Sequence, residues 1–158
     1  MGPEIHADLE PFAALIGRWL GDGHGSYPTT EPFRYGEEIV FESVGEPYLL
    51  YAARSWAEGD GSPLHFERGF LLPGAEPGQA GLAMAHPLGV TEIATGTIGA
   101  GSLVLTSTAI GRTPTGSAVS GLVRRYQVDA DSLSYEIDMA MDHVAMVFHI
   151  SGRLRRAG

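Results

Sequence analysis

Cysteine is absent from this 158-residue chain, and so is lysine. Without a thiol there is no disulfide, no thiolate nucleophile and no cysteine-ligated metal. Cations are few: ten arginines face nineteen acidic groups, for a formal charge of −9. That balance repels phosphate backbones and anionic headgroups, which excludes nucleic acid and anionic lipid surfaces as partners. No apolar run approaches the roughly eighteen residues needed to span a membrane. The opening Met-Gly-Pro-Glu-Ile-His-Ala-Asp has neither the basic nor the apolar region of a signal peptide. A cytoplasmic protein is the expectation.

Turns and strands dominate what is present. Twenty-two glycines and ten prolines accompany many Val, Thr, Tyr and Phe residues in a length suited to one domain. Residues 1–8 read as a tail and 9–158 as the domain. One helix is predicted over 9–16, where Leu9, Phe12, Ala13 and Ile16 recur at helical spacing, with Asp8 as cap, Pro11 in the first turn and Gly17 at the end. Strands are predicted near 18–28, 33–43, 48–57, 63–71, 79–86, 89–98, 101–110, 116–127, 131–141 and 144–156. The links between them are short, as at Glu58-Gly59-Asp60-Gly61, Gly99-Ala100-Gly101 and Asp129-Ala130-Asp131. Such links imply an all-β, ten-stranded antiparallel up-and-down barrel that removes its own edges and leaves room for a ligand. On strand 131–141, Leu133, Tyr135, Ile137, Met139 and Met141 share the apolar, inward face.

The first strand is unusual. Gly21, Gly23 and Gly25 alternate, so one of its faces carries no side chains, which marks a sharp bend or a close approach by a ligand or another chain segment. Gly17-x-Trp19-x-Gly21-x-Gly23-x-Gly25-x-Tyr27-Pro28-Thr29 fixes eight positions in thirteen. It resembles the signature of the nitrobindin family, small β-barrels that carry a b-type haem. Helix followed by Gly-x-Trp is also similar to the wider calycin superfamily, in which the tryptophan plugs one barrel end; Trp19 is accordingly expected to be buried against Phe12 or Ile16.

Six histidines occur, at 6, 24, 65, 86, 143 and 149. Imidazole is the natural iron ligand in a cysteine-free chain, but none of the six stands in His-Glu-x-x-His or another helical metal spacing. Spacing alone leaves open both an axial ligand and ordinary hydrogen-bonded histidines. The resemblance, which runs from about residue 9 to the end, selects among them. Met146-Val147-Phe148-His149-Ile150-Ser151-Gly152-Arg153 matches the family's last strand and makes His149 the counterpart of the proximal haem-iron ligand. Met139 and His65 fall on pocket positions, and Thr29 belongs to the segment that rims the exposed haem edge. His86 stands where the family often has glutamine, near the same cavity. Thr30 replaces a frequent aliphatic residue. Gly69-Phe70-Leu71-Leu72 lacks an arginine that would partner a propionate.

Strand alternation conflicts with this assignment. His149 shares parity with Val147, Ser151 and Arg153, the less apolar face; a position near the barrel mouth on an edge-exposed haem satisfies both readings, and a bulge near Gly152 would switch the parity. The resemblance implies haem b in the ferric state, binding nitric oxide and isomerising peroxynitrite to nitrate, with no side chain required as acid or base and a homodimer compatible. A flat porphyrin would approach the bare glycine strand. The alternative is a carrier of fatty acid or another apolar ligand, with Arg124 or Arg125 engaging the carboxylate.

Overall fold

The computed structural model describes residues 2–158, which form one 3-10 helix and ten strands. The strands are β1 (Gly17–Tyr27), β2 (Thr30–Ser43), β3 (Leu49–Ala57), β4 (Pro63–Pro73), β5 (Gln79–His86), β6 (Val90–Gly99), β7 (Ser102–Arg112), β8 (Val119–Asp129), β9 (Ser132–Met141) and β10 (Val144–Arg156). Each pairs antiparallel with the next, and β10 pairs with β1, which closes the barrel. The up-and-down meander expected from the turn spacing is therefore the fold. Among the described residues no helix is long and apolar enough to cross a membrane.

The helix differs in kind from its expectation. Residues Ala7–Leu15 form a 3-10 helix in which Leu9, Phe12 and Leu15 are buried. Three residues per turn put every third side chain on one face, so Leu15 is inward and Ala13, chosen at α-helical spacing, is exposed. The cap is His6, whose Nδ1 accepts from the Asp8 amide at 3.2 Å, rather than Asp8 itself.

Helix and first strand together seal one end. Trp19 is fully buried, and its indole N–H donates to the Leu15 carbonyl at 2.8 Å. Arg156 lies over the Trp19 ring with its guanidinium carbon 4.3 Å from the centroid, and donates to the Ile16 and Ala14 carbonyls at 2.7 and 3.1 Å. The carbonyls that a helix end leaves without partners are thereby satisfied. Leu49, Leu71, Leu133 and Leu154 fill the space beneath.

The bare strand face is filled from within the chain. Tyr35 on β2 is level with Gly23 on β1, Gly23 with Gly152 on β10, and Gly152 with Tyr135 on β9. A methyl group added at Gly23 would stand 2.5 Å from the Tyr35 ring, and one at Gly152 would stand 2.5 Å from the Tyr135 ring. Two glycines thus make the gap in which two tyrosines meet. None of Gly21, Gly23 and Gly25 lines the cavity described below, which corrects the expectation that a porphyrin face rests on them.

Candidate functional site

The end opposite the helix opens into a cavity of about 520 Å³, within the ~300–1,000 Å³ usual for small-molecule sites. Its upper walls are apolar: Ile39, Ala53, Val90, Val119, Leu122, Ile137, Met139, Met141 and Ile150, with Leu64 and Leu88 at the rim. The inward parity of β9 places Met139 and Met141 there, as the strand pattern predicts.

His149 stands on one wall. On β10 the register slips between Phe148 and Ile150 relative to β9, so two residues of β10 advance against one of β9. This bulge turns both His149 and Ile150 into the cavity and resolves the parity conflict, three residues before the position expected near Gly152. The ring is held by Tyr27 and Phe33, at centroid distances of 5.3 and 6.3 Å and steep interplanar angles. Tyr27 is itself fixed by donating to the Met139 carbonyl at 3.2 Å. His149 Nδ1 lies 3.4 Å from the Ser26 carbonyl oxygen, which accepts its proton and leaves Nε2 with a lone pair. Burial lowers the His149 pKa, opposed by the Ser26 carbonyl and reinforced by His65, so the imidazole is held neutral.

The cavity floor is charged and polar. Arg124, only 1% exposed, donates to both oxygens of Glu67 and both of Glu92 at 2.8–3.2 Å and to the Tyr126 hydroxyl at 3.0 Å. Tyr51 donates to Glu67 at 3.1 Å. Burial alone would raise both carboxyls, but Arg124, helped by the neighbouring histidines, holds Glu67 well below its usual range and also lowers Glu92. Glu37 behaves oppositely. Burial is its largest influence and pushes it up to about 8, because Arg124 acts on it too weakly and Glu67 adds repulsion. Its Oε1 lies 2.5 Å from the Tyr135 hydroxyl, which lies 2.5 Å from that of Tyr35. His86 donates through Nε2 to Glu92 at 3.1 Å, and its Nδ1 is 3.2 Å from His65 Nε2. No buried side-chain polar atom among the described residues lacks a partner.

Residues 8–156 match the model of the THAP4-like, heme-binding beta-barrel domain. The chain belongs to that family, the nitrobindins. It is 45% identical over 161 residues to a peroxynitrite isomerase 2 of Mycobacterium marinum, covering 99% of each chain. A peroxynitrite isomerase 2 of Mycobacterium avium is 43% identical, over 94% of this chain and 98% of that protein. The crystal structure of Rv2717c from M. tuberculosis superposes with a TM-score of 0.91 at 38% identity, covering 98% of this chain and 100% of that one. An S-type phycobiliprotein lyase from Guillardia theta, at 12% identity and a TM-score of 0.66, shares the fold.

Of the six histidines, the nitrobindin barrel brings three to the cavity: His65, His86 and His149. His6 caps the helix, His24 packs outside against Phe148, and His143 is exposed in the β9–β10 turn. Thr29 is exposed in the β1–β2 turn, and its neighbour Thr30 lines the mouth instead. The segment 69–72 lies toward the helix end, where Leu71 is level with Leu49, so its missing arginine is remote from the cavity mouth. Neither arginine suggested for a fatty-acid carboxylate is free: Arg124 is saturated by Glu67 and Glu92, and Arg125 pairs outside with Asp138 at 3.0 Å. The sequence reading missed Glu37, Glu67, Glu92, Tyr35, Tyr51 and Tyr126 as site residues; Tyr135 it placed inward, without its hydrogen bond to Glu37. Glu37 and Glu92 carried a signal, as acids in phase with apolar inward positions on their strands, whereas Glu67 has the opposite parity to Leu64, Phe66 and Phe70 and carried none. The residues present fit a haem: a neutral, oriented imidazole on one wall, apolar faces beside it and an open rim for charged edges.

Proposed function

We propose that this protein binds haem b through His149 Nε2 and isomerises peroxynitrite to nitrate, with nitric oxide as a second ligand of the same centre. The observation that carries the reading is the β10 bulge, which brings a neutral histidine into an apolar cavity with its other nitrogen on a carbonyl. Bound ferric haem supplies a Lewis-acid centre for the peroxide oxygen. The chain supplies the rest. Tyr27 and Phe33 fix the plane of the His149 ring, which keeps the lone pair aimed into the cavity. Met139, Ile137 and Val119 exclude water from the apolar faces. Thr30 lines the mouth, with Thr29 exposed beside it in the β1–β2 turn, where charged edges of the bound group would meet solvent. In a ten-strand ring β5 is diametrically opposite β10, so His86, with His65 beside it, faces His149 across the cavity. Of the two, His65 can turn a ring N–H toward a ligand held between the walls, since the His86 Nε2 proton is donated to Glu92. The names of the mycobacterial relatives support the reaction class.

Hemin titration of the haem-free protein tests this. A Soret band saturating at one equivalent, together with faster peroxynitrite decay than in hemin-free controls, is the expected result. A protein that leaves the hemin spectrum unchanged refutes the reading and returns the cavity to an apolar ligand.

A further inference from the structure

The wall opposite His149 holds a cluster that the haem reading does not use fully. His65 and Glu67 are two apart on β4 and face the same way, while His86 ends the neighbouring strand β5. His65 Nε2 is 3.2 Å from His86 Nδ1 and 3.4 Å from Glu67 Oε1, and the last pair is separated by 3.9 Å. Donors held 2.0–2.2 Å from a common ion at angles of about 90–110° stand about 2.8–3.6 Å apart. Two of the three separations are already those of neighbouring ligands, and a small ring rotation closes the third.

The supporting groups orient the donors. Because His86 Nε2 donates to the Glu92 carboxylate, a neutral ring turns a bare Nδ1 toward the cluster. A carboxylate behind the far nitrogen is the usual support of a ligating histidine. Glu67 has about four lone-pair sites. Arg124 fills two and Tyr51 a third, which leaves one on Oε1, the oxygen facing both histidines. Only the His65 Nε2 proton is then available to two lone pairs, on His86 Nδ1 and Glu67 Oε1. Charge is short in the same sense: Glu67 and Glu92 carry two negatives against the single positive of Arg124. A cation supplies both deficits.

We propose that His65, Glu67 and His86 form a site for one divalent first-row transition-metal ion, distinct from the haem ligand and sharing no residue with it. Two imidazoles and a carboxylate with open positions toward a cavity are a donor set suited to Fe²⁺, Co²⁺ or Zn²⁺. His65 then carries its proton on Nδ1 and coordinates through Nε2. The site's existence does not depend on haem being bound.

Titration of the haem-free full chain with Co²⁺, followed by its visible d–d absorption, tests the site. One equivalent is expected to saturate wild type. His65→Leu and His86→Gln are each expected to weaken binding at least tenfold, and His149→Leu to leave it unchanged. His86→Gln keeps a hydrogen-bonding group against Glu92, so it separates loss of a ligand from loss of the fold. Paramagnetic shifts of the His65 and His86 ring protons read the same contact in unsubstituted protein. Absence of saturable binding overturns the proposal. So does binding that persists at wild-type strength in either variant, which would lie on other histidines, or binding that disappears with His149. Hemin added to the same samples reports on the haem reading separately, since that reading fails with His149→Leu retaining hemin and the metal site fails with His86→Gln retaining Co²⁺.

Discussion

The hydroxyls of Tyr35 and Tyr135 lie 2.5 Å apart above two glycines that supply no side chain between them. Tyr35, Gly23, Gly152 and Tyr135 form one row across four strands, so this contact sets the packing of the β2-β1-β10-β9 quarter of the barrel. A methyl at Gly23 would meet the Tyr35 ring and the Ser151 carbonyl, each at 2.5 Å. A carbonyl held in the β1–β10 ladder cannot retreat, so the ring must. Gly23→Ala is expected to destabilise the protein by about 1–3 kcal/mol, the usual cost of overpacking. Urea unfolding measures it. An unchanged midpoint would show that the row yields more easily than its backbone contacts imply.

Glu37 takes its proton in the folded barrel at a pH where an exposed carboxyl has long lost it. When it is ionised, Tyr135 donates to it; when it is protonated, the chain can run from Glu37 through Tyr135 and Tyr35 to the Ser151 carbonyl, 3.3 Å from Tyr35. A carboxyl whose folded pKa is raised from 4.5 to about 8 contributes stability fully below pH 4.5 and loses it as pH rises through 8. Glu67 and Glu92 are lowered, so their contributions are present above pH 4.5 and are lost in acid. Stability is therefore expected to decline from pH 5 to 9, by at most about 1.4 kcal/mol per pH unit from Glu37. Glu37→Gln should flatten that decline and leave the acid limb intact. Urea midpoints across the range decide it, and a Gln variant with the wild-type alkaline slope would assign the slope elsewhere.

Adjacent arginines provide a contrast in burial. Arg124 is enclosed between two carboxylates, whereas the Arg125–Asp138 pair is at the outer surface. Arg124→Met leaves two buried carboxylates without their cation and is expected to cost about 3–5 kcal/mol. Arg125→Met is expected to cost no more than about 1 kcal/mol. Chemical denaturation of the two variants side by side checks this, and equal losses would mean that the floor network relaxes or admits water.

Most of the barrel was legible because alternation and turn residues are local signals. All ten strands lie within a few residues of their predicted positions. The helix was misjudged in its period, because Leu9, Phe12 and Ile16 fit 3.6 residues per turn nearly as well as Leu9, Phe12 and Leu15 fit three. Trp19 was placed correctly, since Gly-x-Trp after a helix constrains it from both sides. The glycine face signals a close approach, and it is met by another chain segment rather than a ligand; which side chains occupy it is illegible because the tyrosines come from other strands and only register brings them there. The floor was illegible for the same reason. Glu67, Glu92 and Arg124 are 25 and 32 residues apart in sequence and become one network only when the strands close. His149 required the bulge, which Gly152 suggested but which the register places three residues earlier, between Phe148 and Ile150.

His149→Leu is the variant on which the proposed function turns. The ring is half-buried near the cavity mouth, its hydrogen bond to Ser26 is long at 3.4 Å, and the fully buried leucines that hold the barrel lie at the other end. Leucine at this position meets Tyr27, Phe33 and Ile150, so an apolar side chain is accommodated there and the fold is expected to persist, with far-ultraviolet dichroism unchanged. Haem binding should not persist. The apolar walls hold a flat ligand without fixing its depth or rotation, and the bond from Nε2 is the directional contact the chain offers from this wall. Loss of the one-equivalent Soret band, together with loss of peroxynitrite conversion, is the expected pair of results. A variant that keeps the wild-type spectrum places the axial ligand on the opposite wall, at His65 or His86. A variant that fails to fold would make His149 a structural residue, and its imidazole would then be needed for the Ser26 and Tyr27 contacts rather than for iron.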